Sequence, residues 1–135
     1  MGNWASKNTF LDETNGSAHV MDGFKPSQYD ANLTMDGTAQ SVALATGVKQ
    51  GAGRIHVANT GATTEAIRVA FGTSAANAEA NLTISAAAAT TGFYIPAAAE
   101  GGTPTVLGVP ANATHYAVAN AVASDTQVVA ITQGV

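Results

Sequence analysis

Histidine, cysteine and carboxylate side chains carry most metal-binding and acid–base chemistry, and this chain has few of them. It has no cysteine and three histidines, His19, His56 and His115. The histidines lie far apart in the sequence and share no metal-ligand spacing such as H-x-x-x-H. The lack of cysteine excludes a disulfide framework, an iron–sulfur site and a thiolate zinc site. We interpret the histidines as surface or interface side chains, and we expect no metal and no cofactor.

Paired carboxylates and nucleophile motifs are also scarce. The adjacent Asp12 and Glu13 lie in a region that we interpret below as an extended arm, where charges are usually solvated. The chain has no G-x-S-x-G elbow and no S-x-x-K motif. The glycine-rich stretch 47–53 lacks the G-K-[ST] ending of a phosphate-binding loop, so we interpret it as a connection between strands. The sequence therefore predicts a protein that is not an enzyme.

A low content of charged residues indicates a protein that works through broad contacts. Charged side chains make up 10% of the 135 residues, against about 25% in a typical soluble domain. The net charge is −4 and the five cations do not cluster, which argues against a nucleic-acid partner. These cations are Lys7, Lys25, Lys49, Arg54 and Arg68. Such a surface suits a protein that is packed in an assembly.

Alanine accounts for much of the apolar content. Apolar residues make up 46% of the chain, but 29 of them are alanines, so we expect a thin core built mainly from valine, isoleucine and leucine. Residues 80–99 and 101–124 form charge-free stretches that are long enough to cross a bilayer. Both contain several polar residues, glycine or proline, and neither is apolar enough to do so, so we expect no membrane partner.

Charge and aromatic content divide the chain into two parts. Residues 1–31 contain aromatic side chains without a clear period, whereas residues 32–135 carry the pattern of short strands. We interpret residues 1–31 as an extended N-terminal arm that docks either on its own domain or on a neighbour. The expected anchors of this arm are Trp4, Phe10, Phe24 and Tyr29.

Short strands are predicted at regular intervals from residue 32 onward. The clearest pair is 54–58 and 66–71, in which alternation places Arg68 on a polar face. Further strands are expected at 93–95, 105–109, 115–121 and 127–132.

Two connections receive separate predictions. Asp36-Gly37 lies between two short alternating runs, and Asp-Gly in that position predicts a hairpin. Residues 73–91 are interpreted as a long connection with one helical turn, capped by Thr73 or Ser74, and a short strand at 82–85. The whole pattern predicts an all-β fold, an antiparallel β-sandwich (jelly-roll or Ig-like) or a small barrel, with an extended N-terminal arm.

The order of several short motifs resembles that of small virion proteins of tailed bacteriophages. That family outline runs from a strand through an N-T-G turn, a strand ending in F-G or L-G, an I-P-A-G segment, a V-P strand and a T-x-Y/I-A-V-I strand to a final strand ending near glycine. This chain departs from the outline at 98–100, where a glycine would follow Pro96-Ala97, and in the alanine-rich stretch 73–91. The matching stretches are 54–61, 67–72, 94–97, 109–111, 115–119 and 131–134. The resemblance covers residues 38–135 and identifies the chain as similar to capsid decoration proteins, also called cement or head-auxiliary proteins.

The resemblance implies a structural virion protein on the capsid surface. Its partner would be the major capsid protein, whose subunit contacts it would stabilise from outside the shell. A homo-oligomer is expected, with a trimer favoured and a dimer possible. Deleting residues 1–31 is then expected to abolish shell binding while leaving the sandwich folded.

Three other functions stay open at this point. The protein could be another virion component, in a tail or at the base of a head fibre. It could be a glycan-binding β-sandwich module, for which Phe93, Tyr94 and Tyr116 are the available aromatics after residue 71. A small enzyme with an unrecognised site, built around His56 and His115, is the least favoured of the three.

Overall fold

Twelve strands and one short helix make up the described part of the chain. The computed structural model describes residues 9–10, 19–20, 24–35, 37–59, 65–97, 103–123 and 127–135. The helix, α1, spans Ala75–Ala80. The strands are β1 Thr9–Phe10, β2 His19–Val20, β3 Pro26–Met35, β4 Gln40–Ala43, β5 Arg54–Ala58, β6 Ile67–Gly72, β7 Ile84–Ser85, β8 Ala88–Ala89, β9 Phe93–Ile95, β10 Thr105–Gly108, β11 His115–Asn120 and β12 Gln127–Gly134.

Two antiparallel four-stranded sheets form a β-sandwich. The first sheet has the strand order β10-β5-β12-β3, and the second has the order β4-β11-β6-β9. Two small two-stranded sheets, β1-β2 and β7-β8, complete the list for the described residues. The predicted all-β fold class is confirmed, and the division into two separate sheets favours the sandwich over the small barrel.

The inward side chains of both sheets meet in one apolar cluster. The first sheet contributes Ile55, Val57, Val129 and Ile131, and the second contributes Ile67, Val69, Tyr116 and Val118. All eight are fully buried. Complete burial of such a side chain contributes about 1.5–3 kcal/mol. The predicted alternation of 54–58 and 66–71 is therefore real, because one face of each strand lies in this cluster.

Nearly every connection in the sandwich crosses from one sheet to the other. Along the chain, β3, β5, β10 and β12 belong to the first sheet, and β4, β6, β9 and β11 belong to the second. The hairpin predicted at Asp36-Gly37 is therefore wrong, because β3 pairs with β12 while β4 pairs with β11. Asp36 lies outside the described residues. Gly37 has a φ of +95°, which glycine adopts readily.

An alanine-rich layer covers the outer face of the second sheet. Ala70, Ala117 and Ala119 on the sheet pack against Ala78 of α1, together with Leu82 and Ala89. A Cβ atom at Gly72 would lie 2.6 Å from the Ala78 Cα atom, so helix and sheet approach more closely than a larger side chain allows. Six of the 29 alanines belong to this layer. We call the outer face of the second sheet the covered face.

The elements between residues 73 and 91 are more regular than predicted. Ser74 caps α1, because its Oγ accepts a 3.1 Å hydrogen bond from the Asn77 amide. The predicted strand at 82–85 continues into a hairpin, β7–β8, around Ala86 and Ala87. Both turn residues have positive φ, 50° and 64°, where an Asn-Gly turn would be expected.

The first sheet extends into the region predicted to be an arm. Strand β3 starts at Pro26 and pairs with β12 along its length, so residues 26–31 belong to the sheet. Alternation did not reveal this because a register shift interrupts the strand between Asp30 and Leu33. Because β3 has one extra residue at this bulge, Asp30 and Leu33 both face the interior although they lie three positions apart. Further upstream, β1 and β2 pair in an antiparallel hairpin.

Candidate functional site

The outer face of the first sheet presents a row of side chains across all four strands. The ladder places Val106 opposite His56, His56 opposite Thr132, and Thr132 opposite Tyr29. Directly paired residues in antiparallel strands point to the same side of a sheet. Val106 is 46% exposed and Tyr29 is 59% exposed. We call this surface the open face.

Phe24 fixes the point at which the N-terminal part of the chain reaches the open face. Its ring lies 5.9 Å from the ring of His56 and 6.0 Å from the guanidinium carbon of Arg54. A Cβ atom at Gly134 would lie 2.7 Å from Phe24 Cζ, so the glycine makes room for the ring. Paired backbone hydrogen bonds of 2.9 and 3.0 Å between Lys25 and Val135 hold this position.

The structure describes the side chains of two of the four predicted arm anchors. Phe24 and Tyr29 both lie on the open face, one at its end and one on its edge strand, β3. Trp4 lies outside the described residues. Phe10 is in β1, and its side chain is also outside the part of the chain that the structure describes. The structure therefore brings two of the four residues together on one surface.

The described side chains of the open face include one cation and no acidic group. This cation is Arg54, which lies on the same side of β5 as His56. The one carboxylate on β3 in the described residues, Asp30, is 8% exposed and points into the sandwich. In the described residues this surface therefore combines aromatic and aliphatic side chains with one arginine.

A buried polar network lies between the sheets behind this surface. Tyr116 Oη and Gln133 Nε2 each donate a 2.6 Å hydrogen bond to Asp30 Oδ2, and Gln28 Nε2 donates one of 2.6 Å to Oδ1. Gln133 also bonds to the second sheet, donating to the Ala43 carbonyl and accepting from the Ala45 amide. The network therefore joins the two sheets.

Burial, followed by the hydrogen bond to Asp30 and its charge, raises the pKa of Tyr116 far above its ordinary range. The phenol thus stays protonated and acts as a donor. The sequence does not indicate this network, because Asp30 and Gln133 are polar residues of a kind that usually lie on the surface. Their partners are far away in the sequence, so no local signal could have revealed it.

The aromatic residues considered for glycan stacking are only partly available. Tyr116 is fully buried, whereas Phe93 and Tyr94 on β9 are 53% and 51% exposed. The Arg68 guanidinium lies 5.1 Å from the Tyr94 ring centre and donates to the Gly92 carbonyl. One face of Tyr94 is therefore occupied by a cation, and a stacking platform of three aromatics does not form.

Two shallow clefts beside β6 contain no ionisable side chain. They have volumes of about 460 and 240 Å³, and both are lined by Phe71 and Pro110. Phe93 lines the larger cleft, and the amides of Asn77 and Asn112 line the smaller one. Neither lining includes an ionisable side chain, so neither offers a general acid or base.

The described histidines lie in different sheets. His56 is on the open face, and His115 begins β11, where its Nδ1 lies 2.9 Å from Thr114 Oγ1. Among the described residues, no group of three or more histidine, cysteine or carboxylate side chains is arranged to hold a metal ion. No helix in the described ranges has the length and hydropathy needed to span a membrane.

Comparison with known proteins gives no relative from which a role could be transferred. No family model, no curated protein and no solved structure matches this chain. The chain's own residues, and above all the contrast between the open face and the covered face, therefore provide the indications of function.

Proposed function

We propose that the protein is a structural virion protein that binds the outer surface of a phage capsid and stabilises contacts between major capsid subunits. The observation that carries the proposal is the asymmetry of the sandwich. One outer face is covered by small residues, while the other presents Val106, Tyr29 and Phe24 across four strands. A sheet face of this kind supports docking over a broad area.

Composition and sequence resemblance support the same function. Few charges lower the cost of removing water from a large interface. A rigid sandwich with an N-terminal segment attached at its docking face can contact two neighbouring shell subunits at once. Multiple copies on one shell would make the overall attachment stronger than that of a single copy. We propose a homo-oligomer, with a trimer favoured, which sedimentation of the purified protein would test.

The first experiment measures the copy number of the protein in purified particles of its source. Quantitative mass spectrometry against the major shell protein gives the ratio directly. A ratio near one copy per shell subunit, or a simple fraction of it, supports decoration. A handful of copies would overturn decoration in favour of a tail or head-fibre position, and absence from particles would overturn any virion role.

A matched pair of variants tests the docking face. Val106→Glu places a charge on the open face, and Ile84→Glu places one on the hairpin of the covered side, where Ile84 is 38% exposed. Because both positions are exposed, both variants should fold. We expect Val106→Glu to weaken shell binding about tenfold or more, as charges buried in an interface do. Equal binding by the two variants would refute the assignment of this face.

A truncation must respect the start of β3. Removal of residues 1–31 would delete more than half of a strand that pairs with β12. A deletion that ends at residue 22 keeps Phe24 and the whole sheet. We expect this variant to stay folded and to bind shells more weakly, because it lacks the anchors Trp4 and Phe10. Undiminished binding would show that the arm does not contribute.

A further inference from the structure

We propose that two copies of the chain pair through the outer edge of β10, antiparallel and about a two-fold axis at Leu107. The first sheets of the two copies then join into one continuous sheet. This inference rests on the homo-oligomer of the proposed function and deepens it by naming the contact, which favours the dimer. Its tests use the isolated protein, whereas copy number in particles tests the virion role, so the two proposals can fail separately.

Alternate backbone groups of β10 point away from its sheet. Among the described residues, β10 is the last strand of the first sheet, next to β5. The Val109 amide donates a 2.9 Å hydrogen bond to the Gly53 carbonyl, so these two residues form a hydrogen-bonded pair. Such pairs alternate along an antiparallel ladder, so Leu107 also bonds to β5. The N–H and C=O groups of Val106 and Gly108 therefore face the outer edge.

This edge has few of the features that usually keep a sheet edge from pairing. Unpaired edges commonly carry a charged side chain, a bulge or an inward-pointing charge. The opposite edge strand, β3, has both a register shift and the inward-pointing carboxylate of Asp30. Residues 103–110 contain no charged side chain, and the ladder between β10 and β5 runs without a register shift. The edge is thus suited to accept another strand.

The positions of two prolines identify a second copy as the matching strand. Pro104 and Pro110 lie at equal distances before and after Leu107. By the same alternation both face the outer edge, where neither has an N–H to donate. In an antiparallel pair centred on Leu107, Pro104 of one copy lies opposite Pro110 of the other, and Val106 lies opposite Gly108. An unrelated strand would have to match both missing donors, whereas a second copy does so by symmetry.

Side chains on both sides of β10 fit the same axis. On the open face, Val106 is 46% exposed, and nothing lies within 4 Å of a Cβ atom placed at Gly108. Val106 of one copy therefore has free space beside Gly108 of the other. On the inner side, Leu107 is partly buried and packs against the core cluster. At the axis it would meet Leu107 of the second copy, because facing side chains of a non-hydrogen-bonded pair lie close together.

Sedimentation and amide hydrogen exchange of the unmodified full-length protein give the first test. At about 1 mM protein, we expect a mass near twice the 13.4 kDa of the chain. In a monomer the Leu107 amide is protected by β5, while the outward amides of Val106 and Gly108 exchange rapidly. In the dimer these two amides should exchange about tenfold more slowly or less. A monomeric or trimeric mass, or rapid exchange of both amides, would overturn the proposal.

A matched pair of variants at Gly108 tests the role of the backbone. Gly108→Pro removes one outward N–H and leaves the bonds to β5 in place, whereas Gly108→Ala keeps that N–H. The φ of Gly108 is not positive and its Cβ position is open, so both variants should fold. We expect self-association to weaken about tenfold or more in the proline variant and to persist in the alanine variant. Equal association of the two would overturn the proposal.

Cysteine cross-linking tests the register of the pair. The chain has no cysteine, so Leu107→Cys places one thiol of each copy at the axis. Their Cα atoms would be about 4.5 Å apart, which is within disulfide range. In the control, Thr105→Cys, the two thiols would be separated by four positions along the strand, about 13 Å, which is too far to bridge. Mild oxidation should give a covalent dimer from Leu107→Cys alone. A covalent dimer from Thr105→Cys, or from neither variant, would overturn the axis at Leu107.

Discussion

The two outer faces of the sandwich differ in how their residues are used. On the covered face, Ala117 and Ala119 are buried beneath α1 and the β7–β8 hairpin. On the open face, Val106 and Tyr29 remain about half exposed. Small side chains let a second layer approach a sheet closely, whereas larger mixed side chains leave a surface that a partner can recognise. The contrast separates the part of the molecule that serves stability from the part proposed to serve binding.

The largest expected effect comes from adding one methyl group under α1. In Gly72→Ala, the new Cβ would overlap the Ala78 amide nitrogen and lie 2.6 Å from its Cα. Because backbone cannot move aside cheaply, we expect a loss of about 3 kcal/mol or more in the free energy of unfolding. Urea denaturation measures the loss. Gly108→Ala in the first sheet is the control, since nothing lies within 4 Å of its Cβ. Similar losses of stability in both variants would contradict the view that the covered face is more tightly packed than the open face.

Loss of one hydroxyl group between the two sheets should lower the free energy of unfolding. Tyr116→Phe removes a donor to the buried Asp30 carboxylate, so we expect a loss of about 2–3 kcal/mol near pH 7. The raised pKa of Tyr116 keeps the folded-state phenol neutral, while the unfolded phenol ionises near pH 10. Its contribution is thus complete below about pH 10 and is lost as pH rises further.

An alkaline titration of stability therefore distinguishes this variant. The gap between the native protein and Tyr116→Phe should narrow by up to about 1.4 kcal/mol per pH unit above pH 10. Denaturation at pH 8, 9, 10 and 11 provides the test. A gap that stays constant or widens would contradict the role assigned to the phenol.

A matched pair of alanines compares the faces directly. Ala119 on β11 is 1% exposed under the covering layer, whereas Ala130 points outward from β12 on the open face. We expect Ala119→Val to destabilise the protein by about 2 kcal/mol through overpacking. Ala130→Val should change stability by less than about 0.5 kcal/mol. Equal stability losses in the two variants, or a larger loss in Ala130→Val, would contradict the proposed difference between the faces.

The smallest effect is a gain in stability within the covering layer. Ala87 has a φ of 64°, a left-handed conformation that costs a residue with a Cβ about 1 kcal/mol. Its Cβ also lies 3.1 Å from the position a Cβ at Gly37 would take, so the site tolerates little added bulk. Ala87→Gly should raise stability by up to about 1 kcal/mol, measured as a higher urea midpoint. Ala88→Gly, outside the turn, should lower it.

The sequence could predict strands and buried faces, but it could not assign strands to sheets. Alternation in 54–58 and 66–71 correctly placed Ile55 and Ile67 in the core, since period-two patterning depends only on which face is buried. The partner of each strand is decided by distant residues, so the Asp36-Gly37 hairpin was predicted wrongly. The expected core of valine, isoleucine and leucine is confirmed in the main cluster. Composition alone could not show that several alanines lie between a helix and a sheet.

Two residues of the open face were selected from the sequence. Phe24 and Tyr29 were predicted to be aromatic anchors of the arm, and both lie on this face. Their role in binding a partner stays a prediction. Val106 and Thr132 were not selected, because strand pairing across β10, β5, β12 and β3 creates their row. A surface assembled from four separated segments leaves no local sequence signal. The function proposed for it stays a prediction until copy number and shell binding are measured.

The crossing of the chain between sheets has a consequence for how the protein folds. Among the eight strands of the sandwich, β6 and β9 are the one pair of consecutive strands that lie side by side, and even they are separated by α1 and a hairpin. Early contacts therefore close long loops before they gain any ladder hydrogen bonds. Domains dominated by such distant pairings fold in milliseconds to seconds. We therefore expect this sandwich to fold slowly and cooperatively, and we expect no subset of neighbouring strands to form a stable folded unit by itself.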